Sequence, residues 1–83
     1  MNFKEKLTSF HIGSFYAIYN NAKYLVTKQS VSNGKILKIY AEELKGNDIV
    51  SGNYFLTIKD GLLKPCEMSD KKVIDFVLNC KIQ

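Results

Sequence analysis

Runs rich in Ile, Val, Tyr, Phe and Thr alternate along the chain with short marks of Asn, Asp and Gly. That rhythm predicts strands joined by tight turns. Asn33-Gly34 is the clearest turn, because both residues tolerate the positive φ of a type I′ hairpin. Asp60-Gly61 is a second, and Asn20-Asn21 a third. These marks delimit strands over residues 12–19, 23–31, 35–42 and 54–59. A short fifth over 62–64 stops at Pro65, which has no N–H for a ladder.

Two-residue turns also set register, and register decides which side chains share a face. The turn at Asn33-Gly34 places Ser30 opposite Leu37, Lys28 opposite Ile39, and Val26 opposite Ala41. The turn at Asn20-Asn21 places Phe15 opposite Val26 and Ala17 opposite Tyr24. One face then carries Phe15, Ala17, Tyr24, Val26, Leu37, Ile39 and Ala41, and it is the candidate core. The other carries Ile12, Tyr16, Ile18, Leu25 and Tyr40, mixed with Lys23, Thr27, Gln29 and Lys38. This second face is too apolar to stand bare along its whole length. The expectation is that a helix covers part of it or that the sheet curls over it.

The pattern switches to helical spacing near the C-terminus. Val73, Ile74, Phe76, Val77, Leu78 and Cys80 form a wide apolar face over residues 70–80. Ser69 is a good N-cap, Asp70 suits the positive end of the helix dipole, and Met68 and Val73 have staple spacing. Phe3, Leu7 and Phe10 also recur at helical spacing, so residues 1–10 are expected to be either a short helix or loose. Residues 35–45 fit a helix as well as a strand; the Asn33-Gly34 turn favours the strand. The whole predicts one domain over 1–83, mainly β (α+β): a small, partly closed antiparallel barrel of about five strands, SH3-like or OB-like in shape, with a C-terminal helix. A two-layer α/β sandwich is the alternative.

Composition adds three constraints. At 46% hydrophobic and 24% charged the chain is too apolar for disorder, and 83 residues leave room for one core. No apolar run is long enough to span a bilayer, and no secretory signal opens the chain, so no membrane and a cytoplasmic location are expected. Two cysteines in so short a chain are no disulfide framework. The net charge is +4, and all twelve basic residues are lysines. Lysine attracts polyanions as a point charge but lacks the planar fork by which arginine grips phosphate or guanine.

Candidate chemistry is sparse. Cys66 follows Lys64-Pro65 and precedes the predicted helix by a few residues, which would lower a thiol pKa; a packed, inert residue is the stronger expectation. Cys80 falls on the apolar helix face. His11 is the single histidine, with no second ligand at metal-binding spacing, and a pairing of His11 with Cys66 has no local support. Glu42 and Glu43 point to opposite faces of a strand, so they make no acid/base pair, and with Asp48 they lack the ligand alternation of a calcium loop. The scattered glycines form neither a P-loop nor a dinucleotide fingerprint. No catalytic constellation, metal site or cofactor is implied.

What remains is the aromatic and lysine content of the second face, Tyr16 and Tyr40 beside Lys23 and Lys38. Two functions follow from it. The first is a non-enzymatic interaction module that binds an unidentified protein or itself, using exposed tyrosines and short edge strands. The alternative is a nucleic-acid-binding module in which bases stack on the tyrosines and lysines follow phosphate.

Overall fold

The computed structural model describes residues 1–83. Its elements, in chain order, are α1 (Phe3–Ser9), β1 (Gly13–Tyr19), β2 (Ala22–Val31), β3 (Ile36–Glu43), β4 (Ile49–Phe55), β5 (Leu62–Pro65), α2 (Asp70–Asn79) and β6 (Lys81–Ile82). The six strands form one antiparallel sheet in the order β5-β4-β3-β2-β1-β6. The fold is therefore mainly β with two short helices. The sheet stays open: β5 and β6 end it on opposite sides and do not pair. The molecule is thus the two-layer arrangement of helices on a sheet, not a closed barrel.

The turns set the register as their chemistry requires. Asn20 and Asn21 both adopt positive φ, and β1 pairs with β2 through Phe15↔Val26 and Ala17↔Tyr24. Ser32, Asn33 and Gly34 all have positive φ, and β2 pairs with β3 through Val26↔Ala41, Lys28↔Ile39 and Ser30↔Leu37. Asp60 and Gly61 take positive φ too, at 65° and 77°. Gly61 has a second constraint: a Cβ there would run into the Tyr54 ring.

The fourth strand lies earlier than its composition suggests, at Ile49–Phe55 rather than 54–59. Ser51-Gly52-Asn53 has weak strand propensity, but β4 is paired on both sides, and ladder bonds to β3 and β5 override propensity. Residues 35–45 are strand through Glu43, not helix. β6 is two residues long, too short to leave a sequence signal.

Both helices pack on the face that carries Phe15, Ala17, Tyr24, Val26, Leu37, Ile39 and Ala41, and all seven are buried. From α2, Val73, Phe76 and Val77 are fully buried against it. The expectation that a helix covers the second face is thereby corrected: the helix layer sits on the first face, and Tyr16 and Tyr40 remain 47% and 43% exposed. The physical reason is the size of the apolar area. The first face, extended by Val50 and Tyr54 of β4, has a continuous apolar surface, and burying it gains more than covering the mixed second face.

α1 is an ordered, docked helix. A capping box fixes its start: the Asn2 side chain accepts from the Glu5 N–H at 2.8 Å, and the Glu5 carboxylate accepts from the Asn2 N–H at 3.1 Å. Leu7 and Phe10 enter the core. The end of α1 is held by Lys28, which stands on the core face of β2 and is 3% exposed. Its Nζ donates to the carbonyls of Leu7 (2.8 Å), Thr8 (3.1 Å) and Phe10 (2.6 Å). Lys6 does the same more loosely for α2, donating to Leu78 O at 3.3 Å and Cys80 O at 3.4 Å. Each lysine meets last-turn carbonyls at the negative dipole end of a helix; of these, Leu7 O also accepts the Phe10 N–H at 3.3 Å. No helix of the structure is long and apolar enough to cross a membrane.

Candidate functional site: the open face of the sheet

With the helices on one side, the other side of the sheet is uncovered. Its residues follow from the pairing as rows that run across the strands. One row is Tyr16–Leu25–Glu42–Ile49 and the next is Ser14–Thr27–Tyr40–Ser51. Then comes Gln29–Lys38–Asn53–Lys64, and at the end Val31–Ile36–Phe55–Leu62. At the opposite end Lys81, Ile18 and Lys23 align. The polar rows lie between apolar ones.

Charge is sorted between the layers. The open face carries Lys23, Lys38, Lys64 and Lys81 against the single carboxylate of Glu42. Most of the acid sits elsewhere, around α2. Asp48 accepts from the Tyr24 hydroxyl at 2.7 Å and pairs with Lys72 at 2.5 Å. Tyr19 donates to Asp75, which also accepts from Asn79 at 3.0 Å. These contacts move the titrations in definite directions. Burial opposes the Asp48 charge, yet hydrogen bonds from Lys72 and Tyr24 outweigh it and hold the carboxyl below its usual range. Burial, then the bond to Asp48, pushes the Tyr24 phenol up. The bond to Asp75, with burial, pushes Tyr19 up to about 12. The network staples α2 to β1, β2 and the loop before β4, and it has no side chain on the open face.

The sequence singles out five candidate site residues, and the structure gathers them in two places. Tyr16 and Lys23 are neighbours: the Lys23 ammonium stands over the Tyr16 ring, 4.6 Å from its centroid. Tyr40, Lys38 and Cys66 line one shallow concavity of about 330 Å³ on β2, β3 and β4. Thr27, Gln29, Ser51 and Asn53 complete its polar rim. Cys66 was expected to be packed and is exposed instead, because it leaves β5 past Pro65 and turns out beside Ser51, to whose carbonyl its N–H donates at 3.0 Å. Cys80 is buried as its place on the helix face requires.

The concavity has a property that sequence reading alone could not supply. The side chains of Gln29, Lys38, Tyr40, Ser51 and Asn53 make no hydrogen bond to the rest of the chain, and Lys38 has no ion-pair partner. The polar groups of the helix side, by contrast, are largely engaged with one another or with carbonyls. Ser51 and Asn53 are not evident from the sequence because composition puts the fourth strand five residues late, at 54–59 rather than Ile49–Phe55. Strict alternation back from Tyr54 through Gly52 to Val50 is the signal that could have found them.

Other candidates are not brought together. His11 precedes β1, its ring against Phe15, while Cys66 neighbours β4. Those strands are three spacings apart, about 14 Å. Glu42 lies on the open face, whereas the Glu43 carboxylate turns back to accept from the Asp48 N–H at 3.3 Å. Comparison with family models, with curated proteins and with solved structures finds no significant match to this chain.

Proposed function

We propose that the protein is a non-enzymatic binding module that holds single-stranded nucleic acid on the open face of its sheet. The observation that carries this reading is the exposure of Tyr16 and Tyr40 on a face with four lysines and one carboxylate. Exposed rings on a rigid sheet give bases flat surfaces to stack on, each stack worth ~1–3 kcal/mol. Lysines around them meet the phosphates without needing a particular sequence. Tyr40 offers its ring freely, while Tyr16 already has an ammonium over one face, leaving the other for a base. Tyr40 is therefore the principal stacking residue.

A protein partner is the second class of ligand. Strand addition gains little from the edges, since β5 has four residues and β6 two. The apolar row Val31–Ile36–Phe55–Leu62 would be its footing instead.

Fluorescence anisotropy with labelled mixed-sequence single-stranded RNA and DNA, across a salt series, separates the two. If the four lysines each neutralise a phosphate, log K falls with log salt at a slope of about −3, from roughly −0.7 per phosphate on single strands. Tyr40→Ala should weaken binding by about five- to 150-fold, the effect of losing one stack of ~1–3 kcal/mol. Bound strand should also slow alkylation of Cys66, the thiol at the edge of the concavity. Absence of binding at low salt refutes the reading. Salt-insensitive self-association or peptide binding abolished by Phe55→Ser would establish the protein-partner class in its place.

A further inference from the structure

Resting on the reading of the sheet face just given, we infer that the concavity beside Tyr40 is a subsite for one guanine base of the bound strand. Three features converge on that base. The first is the row geometry. Gln29, Lys38 and Asn53 are direct cross-strand partners on β2, β3 and β4, so the lysine has an amide on either side, each about 5 Å away along the row. Tyr40 is two residues beyond Lys38 on the same face of β3, so a ring lying on Tyr40 presents its edge to that row.

The second is the balance of donors and acceptors. Lys38 is the one charged group lining the concavity, and no carboxylate lines it. The nearest acid on the face, Glu42, is a full pair beyond Tyr40, opposite Leu25. An ammonium without a counter-ion selects an edge made of adjacent acceptors. Guanine presents O6 and N7 side by side, with the N1–H and N2 amino donors adjoining them. Adenine puts an amino donor next to N7, uracil separates its two acceptors by N3–H, and cytosine, whose N3 and O2 are adjacent, has no ring N–H beside them for an amide to take. The amides of Gln29 and Asn53 each carry an acceptor as well as donors, so one of them takes the N1–H and N2 amino group of the same base. The third is that all of these side chains, and the Ser51 hydroxyl, are without partners in the chain, so none has to give up an internal bond to meet a ligand. A single-ring base would stack less on Tyr40 and would reach fewer of them.

The test uses four labelled RNA octamers that are uridine throughout except for one central position, which is G, A, C or U, with the full chain at low salt. The G octamer is expected to bind about tenfold tighter than the others, the discrimination of one good paired contact. Lys38→Ala should narrow that preference to within about threefold, and so should whichever of Gln29→Ala and Asn53→Ala removes the amide that meets the N1–H. A preference unchanged in all three variants overturns the subsite. Equal, salt-dependent binding of all four octamers overturns the guanine subsite while leaving the sheet-face reading standing. A preference for A, C or U overturns it too. No binding to any octamer removes both.

Discussion

Lys28 is a lysine with no counter-ion, 3% exposed, whose three hydrogen bonds all go to the end of α1. Its replacement measures what holds that helix to the sheet. Lys28→Met keeps the apolar stem and the volume and removes only the ammonium. The carbonyls of Leu7, Thr8 and Phe10 then lose a charged donor; the bonds to Leu7 and Phe10 are buried, that to Thr8 is partly so, and Leu7 O keeps the Phe10 N–H at 3.3 Å. A buried carbonyl left without its partner costs about 1–3 kcal/mol, and bonds to charged groups lie toward the upper end. Against this stands the desolvation of the ammonium, several kcal/mol, which the substitution relieves and which already holds the Lys28 pKa below the ordinary lysine value. Three donated bonds should outweigh that relief, leaving a net loss of about 2–3 kcal/mol. For a domain of this size each kcal/mol moves Tm by roughly 4–8 °C, so Tm should fall by about 10–20 °C. Urea unfolding followed by circular dichroism tests the magnitude. Its slope tests the cause, because a variant in which α1 has already undocked exposes less new surface and shows a smaller m value. Amide exchange at Leu7 and Phe10 should accelerate before that of β2 and β3. If Lys28→Met is as stable as the parent or more so, desolvation exceeds the bonds, and Lys28 is not what fixes α1.

The remaining predictions address the other layer, the acid cluster and the thiols. Phe76→Ala removes a fully buried ring that meets Tyr19 and Tyr24 edge-on and should cost about 3–5 kcal/mol by denaturant melts; a loss under 1 kcal/mol would mean that α2 is not the main lid of the core. Because the Asp48 pKa is lowered in the folded state, its contribution to stability is complete above the ordinary aspartate range and fades as pH falls through and below it. Asp48→Asn should therefore flatten the acid limb of a pH–stability profile, and an unchanged limb would assign that limb to other carboxylates. Cys66 should react at once with a thiol reagent in the folded protein, whereas buried Cys80, its thiol pushed up by desolvation, should react only as the chain unfolds. Two equal fast phases would contradict the placement of Cys80.

The hairpin signals carried most of the fold. Asn20-Asn21 and Asn33-Gly34 have strong local conformational preferences, so the registers of β1, β2 and β3 could be worked out pair by pair. The helix α2 was equally legible, since Ser69 caps it and its apolar face is continuous; the Ser69 hydroxyl accepts from the Lys72 N–H at 3.1 Å. Two kinds of information were not local. The position of β4 depends on having partners on both sides, which Ser51-Gly52-Asn53 does not advertise. The choice of face depends on the total apolar area that the helices find after β4 has joined the sheet, a sum over distant segments. The site suffered the same division. Tyr16, Lys23, Lys38 and Tyr40 were recognisable from the first two hairpins, but the concavity needed β4, which brings Ser51 and Asn53 to Lys38 and Tyr40. Lys28 was placed in the right register opposite Ile39, yet nothing in its neighbours foretold three carbonyls waiting for it.

The strand order has a kinetic meaning. Strands β1 to β5 are neighbours in space in the same order as in sequence, so each pairing closes only a short stretch of chain. The exception is β6, which comes after β5 in the chain but pairs at the far side of the sheet with β1, so α2 must cross the whole layer to deliver it. Loop-closure entropy grows with the length enclosed, and such contacts form late and slowly. A folding nucleus at the β1–β2–β3 meander, followed by docking of α2 and pairing of β6 as the final event, is the consequence: substitutions in the first two hairpins should slow folding, while substitutions at Val73, Val77 or Ile82 should chiefly speed unfolding.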